Sequence, residues 1–209
     1  MDFTIIYRVL WKPSEVFTGF KGQLRKEPFI LLGIVPVLAL INTYKSDIQQ
    51  LQNQPALLLI VPLQVYLSVL LSPLIEALII LLIARFAMNI KESFLSLVSV
   101  FILCWLPFHL LSWIPVLFGE PGVYIGLGRL FMNIRDTHPF IFGMLASITP
   151  FFVWIAILWR IALRQILPIS ERQNLILLGS LILFGLTSGG LWRMFAVAMF
   201  NYFNLLHNL

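Results

Sequence analysis

Two charged residues stand inside long apolar stretches of this 209-residue chain, Glu76 and Arg193. Charges at such positions are costly in hydrocarbon and are functional candidates by default. Glu76 precedes Arg85 by nine residues, about 13 Å along a helix axis. It follows Ser72-Pro73, where a helix can open and free backbone groups. A lone carboxyl there could bind a proton or a cation, or contact a polar headgroup. The structural alternative is a bundle-facing carboxyl, protonated or hydrogen-bonded to Ser or Tyr of a neighbouring helix. Arg193 lies nineteen residues beyond Asn174, about 28 Å along a helix, which puts it near the far interface where Arg can snorkel. Pairing it with Glu76 would require a helix break at Ser188-Gly189-Gly190.

No other residues assemble a catalytic pattern. His109, His138 and His207 are far apart and show no metal-ligand spacing, so no metal or cofactor is expected. The chain has no G-x-S-x-G elbow, P-loop or Rossmann glycine fingerprint. Gly122, Gly126 and Gly128 lack the strand-to-helix context of a phosphate cradle. Cys104 is the single cysteine and sits in the apolar run Phe101-Ile-Leu-Cys-Trp-Leu, the setting of an inert core thiol. The expectation is that the protein is not an enzyme.

The elements that must position these residues follow from composition. Hydrophobic residues make up 60% of the chain and charged residues 11%, with a mean hydropathy of +0.95. A soluble domain carries roughly 45–50% apolar and 25% charged residues, so a polytopic membrane protein is the expected class. The fold class read from the sequence is all-α, with five transmembrane helices. They fall at 29–44, 56–85, 95–118, 140–163, and from 174 to at least 192. The N-terminal segment 1–28 is read as cytoplasmic and amphipathic, and 29–209 as the membrane domain. It has no apolar core of a signal peptide and no lipidation motif.

The positive-inside rule orients the spans. Arg8, Lys12, Lys21, Arg25, Lys26, Arg85, Lys91, Arg160, Arg164 and Arg172 fall on one side, against Lys45, Arg129 and Arg135 on the other. The N-terminus is therefore expected in the cytoplasm and the C-terminus outside. A pI near 9.7 then reflects a membrane-flanking collar, with no nucleic-acid partner.

Phe3, Ile6, Tyr7 and Leu10 fall on one helical face, and Val16, Phe17, Phe20 and Leu24 on another after Pro13. Both segments read as interfacial amphipathic helices, or as helices packed under the bundle. Val123, Leu127, Leu130, Phe131 and Ile134 predict a short surface helix in the loop between helices three and four. Pro36, Pro62, Pro73, Pro107, Pro115 and Pro150 interrupt four spans. Gly185 and Gly189 form a G-x-x-x-G pair suited to close helix approach, within the chain more than between copies.

Three places resemble the Yip family of five-span membrane proteins, named for Rab-GTPase interaction in eukaryotes. They are Trp11-Lys-Pro-Ser-Glu-Val-Phe17, then Ala84-Arg-Phe-Ala-Met-Asn-Ile-Lys-Glu-Ser-Phe94 running to Pro107, and Trp154 through Ile161-Ala-Leu-Arg-Gln-Ile to Ile169-Ser170. With the span count and orientation, the resemblance covers about residues 8–195. The glycine pair that often precedes the third span is replaced by Met88-Asn89. The family's long cytosolic N-terminal region and Asp-Leu-Tyr-Gly-Pro motif are missing, which argues against Rab binding. The chain resembles a compact prokaryotic member. That likeness implies a non-catalytic role in a bacterial inner membrane, as scaffold or accessory subunit to another membrane protein or transporter, in the company of export or envelope-stress systems. The competing expectations are a small transporter or channel built on Glu76, and an intramembrane enzyme.

Overall fold

The computed structural model describes residues 4–20, 28–30, 37, 57–111 and 127–207, and these are all helix, turn or irregular chain, without a strand. Seven α-helices and one 3-10 helix are delimited: α1 (Thr4–Trp11), α2 (Pro13–Thr18), α3 (Leu57–Ala87), α4 (Phe94–Leu111), the 3-10 helix Leu127–Ile134, α5 (Pro139–Ser147), α6 (Pro150–Ile166) and α7 (Glu171–His207). Two are long and apolar enough to cross a membrane, α3 over Leu70–Ala87 and α7 over Glu171–Phe195. A third span results if α5 and α6 are taken together. The apolar part of α4, Phe94–Leu106, is shorter. The first expected span, 29–44, lies almost wholly outside the described residues, as do Lys21, Arg25 and Lys26.

The chain divides into two compact units. The first gathers the described residues of Met1–Val123 with Ile157–Leu177, the second those of Tyr124–Ala156 with Leu178–Leu209. In the first unit α4 is buried on every side from Ser96 to Cys104, the signature of a central helix. Helix α3 packs against it, presenting Glu76, Ala77, Ile80 and Ala84, while Leu71, Ile75, Leu78 and Leu82 point outward. Residues from α6 complete the core at helical spacing: Leu158, Trp159, Ala162, Leu163 and Ile166. Helix α3 runs through Pro62 and Pro73 as one element. It ends at a turn in which Ile90 N–H donates to the Ala84 carbonyl at 2.8 Å and Asn89 takes φ 54°. Asn is the non-glycine residue that best tolerates this left-handed conformation, so Met88-Asn89 can close a helix where glycine would be usual.

Three expected elements take a different form. The fourth span is not one helix: α5 and α6 meet at a bend of 66°. The cause is local, because Pro150 cannot supply an N–H and Thr149 Oγ1 caps the new helix by accepting from Phe152 N–H at 3.0 Å. The last helix starts at Glu171 rather than Asn174, opened by a capping box. Ser170 Oγ accepts from Gln173 N–H at 3.3 Å, and Gln173 Oε1 accepts from Ser170 N–H at 2.9 Å. It continues through Gly185–Gly190 unbroken. The apolar face of α1 is also reassigned. Ile5 and Val9 are buried, whereas Tyr7 and Trp11 are exposed, because α1 packs on α4 with the opposite side of its short cylinder. The stripe of α2 is as expected, with Val16 and Phe17 buried and Phe20 after it.

Candidate functional site

Glu76 is 1% exposed, inside the first unit. The helical period of α3 places it on the same face as Ala77 and Ile80, which turns the carboxyl toward α4. There the Trp105 indole N–H donates to Glu76 Oε1 at 2.8 Å. The Trp159 indole of α6 stands close enough to interact with the same carboxyl, and its ring meets that of Trp105 edge-on at 6.4 Å between centroids. Three helices therefore converge on one acid. Its second oxygen, Oε2, is buried and has no hydrogen-bond partner among the described residues. Cys104 is buried beside this group and is not bridged. The expected partner type was Ser or Tyr; the structure supplies tryptophan. No sequence spacing marked Trp105 or Trp159 as partners, because they sit 29 and 83 positions away on other helices.

Arg193 belongs to the second unit and has its own partners. Its guanidinium lies 3.8 Å from Asp136 Oδ1 and its Cζ sits 5.6 Å from the centre of the Phe142 ring. The Arg193 side chain is 24% exposed and Asp136 89%, so the ion pair itself contributes little. The position comes from a close helix crossing. A Cβ on Gly143 of α5 would lie 2.5 Å from the Gly189 carbonyl of α7, and one on Gly189 would collide with Ser147 Oγ. Gly185 is likewise backed by Phe152, whose ring atom Cε2 would be 2.7 Å from an added Cβ. The G-x-x-x-G pair is thus used within the chain.

The first unit carries two sets of exposed ion pairs. Arg160 and Arg164 of α6 both face Glu171, the latter at 3.7 Å. Asn174 Nδ2 donates to the Arg160 carbonyl at 3.3 Å. Glu15 accepts from Lys12 Nζ at 3.2 Å and from Arg8 Nη2 at 3.3 Å. The Lys12 hydrogen bond first, then that of Arg8, holds the Glu15 carboxyl below the usual carboxylate range.

Among the described residues no group of three or more His, Cys, Asp or Glu could hold a metal ion. The side chains of His109 and His207 lie outside the described set, as do Gly122 and Gly126. The arrangement at Glu76 offers a buried carboxyl held by an indole N–H, which can fix helices or hold a proton. Comparison of the chain with protein-family models, curated proteins and solved structures finds no match.

Proposed function

We propose that the chain is a non-catalytic integral membrane protein acting as a scaffold or accessory subunit of a membrane complex. In this reading it has five spans, a cytoplasmic N-terminus and an outer C-terminus, lies in a bacterial inner membrane, and is Yip-like without a Rab partner. The observation that carries it is the enclosure of Glu76. A carboxyl 1% exposed, bonded to Trp105 on a helix buried along most of its length, positions helices rather than lining a path. The outward rows of α3 and α7 are apolar, as lipid- or partner-facing surfaces must be. The exposed Leu127, Leu130, Phe131 and Met132 of the 3-10 helix suit an interfacial position. Mild-detergent purification followed by mass spectrometry tests the reading. A second membrane protein should co-purify in fixed ratio; isolation of the chain alone under every gentle condition overturns it.

One observation favours a second reading, a small transporter or channel. Glu76 Oε2 is buried without a hydrogen-bond partner among the described residues, and such atoms call for an explanation. Loss of flux through proteoliposomes in Glu76→Gln would support that reading, and unchanged or undetectable flux would remove it.

A further inference from the structure

We propose that the outward face of α1, formed by Tyr7 and Trp11 with Arg8 and Lys12, docks on the anionic headgroup surface of the membrane that holds the chain. The inference rests on the membrane-spanning reading above and adds the surface chemistry that α1 recognises.

The helix carries apolar residues on two sides. Ile5 and Val9 are consumed by packing on α4, yet Tyr7 is 65% and Trp11 72% exposed. These two rings lie against each other, 6.4 Å between centroids. Aromatic residues with a polar tip favour the headgroup layer over water and over hydrocarbon. The cations beside them exclude the hydrocarbon alternative and supply the complement to phosphate.

The charge balance points the same way. Arg8 and Lys12 share a single carboxylate, Glu15, through exposed contacts of 3.3 and 3.2 Å. A phosphate can take over from Glu15 at such a contact at little cost. Thr18 Oγ1 lies 3.1 Å from Gln165 Oε1, which places the end of α2 beside the C-terminal end of α6. That end of the unit also carries Arg160, Arg164 and Arg172, against Glu171. In each group the cations outnumber the carboxylate, Arg8 and Lys12 against Glu15 and Arg160 and Arg164 against Glu171. Helix α1 is also packed against α2 and α4, so little order has to be gained on docking.

The test uses the full chain reconstituted in vesicles of phosphatidylcholine alone or mixed with phosphatidylglycerol. A nitroxide is placed at Tyr7→Cys on a Cys104→Ala background, leaving Trp11, Arg8 and Lys12 in place. In the anionic vesicles the label should report headgroup depth, with collision by a water-soluble relaxant reduced about fivefold against phosphatidylcholine. Arg8→Gln with Lys12→Gln should abolish the difference. Equal water access in both vesicles overturns the proposal. So does shielding seen only in native membranes, which would assign the face to a protein partner. Carbonate extraction is scored separately: a chain stripped from both vesicles overturns the membrane-spanning reading, and this inference with it. If the cysteine variants do not fold, amide exchange of the unsubstituted chain in nanodiscs decides. Slower exchange over Thr4–Trp11 with phosphatidylglycerol supports docking, and identical exchange overturns it.

Discussion

The Trp105 indole N–H reaches Glu76 Oε1 at 2.8 Å across the packed face of α3 and α4. This single bond joins the one acid buried in α3 to the central helix of its unit. Trp105→Phe keeps the ring's bulk and removes the donor. A buried acceptor then loses its partner, which costs about 1–3 kcal/mol. Thermal unfolding in detergent should show the loss. A double-mutant cycle with Glu76→Ala should give a coupling of about 0.5–3 kcal/mol, and additivity would show that the bond is not made.

Two glycines of α7 stand in contrast. Nothing lies within 4 Å of a Cβ added at Gly179, whereas at Gly189 it would meet Ser147. Gly179→Ala should raise stability by about 0.8–1 kcal/mol through helix propensity. Gly189→Ala should lower it by about 1–3 kcal/mol through overpacking at the crossing with α5. Unfolding midpoints of the two variants, measured side by side, check the opposite signs.

At the bend between α5 and α6 the Thr149 hydroxyl caps the first turn of α6. Thr149→Val removes the hydroxyl that accepts from Phe152 N–H while preserving shape. The expected cost is about 0.5–2 kcal/mol. Amide exchange should accelerate in the first turn of α6 before the rest of the helix. Unchanged exchange at Phe152 would mean that the cap is not made.

Glu15 gives a pH dependence with a fixed sign. Its carboxyl is held below the ordinary range by Lys12 and then Arg8. A lowered folded-state pKa means that the contribution is present above the unfolded value, about 4.3 for Glu, and is lost as pH falls through the lower folded one. The Arg8 and Lys12 contacts should therefore survive at neutral pH and dissolve only in acid. A carboxyl-carbon titration of Glu15 by NMR measures this directly. A midpoint at or above the ordinary glutamate value would contradict the contacts.

Composition by itself determined the class of this protein. With so few charges and so much apolar surface, the backbone groups must satisfy one another, and the long continuous apolar runs do this as helices. Local signals also fixed where helices begin, and two were legible but easily passed over: Thr149-Pro150 and the Ser170 to Gln173 box. The first is obscured because hydropathy runs on across the Ile148-Thr149 break. Faces were a different matter. The outward and inward sides of α3 are both apolar and α4 is apolar nearly all round, so no period distinguishes a face, and only packing decided that Glu76, Ala77 and Ile80 point inward. The same holds for α1, where two apolar sides compete and α4 takes Ile5 and Val9. The tryptophans at Glu76 and the aspartate at Arg193 come from distant parts of the chain, and it is the tertiary fold that gave each charge its partner.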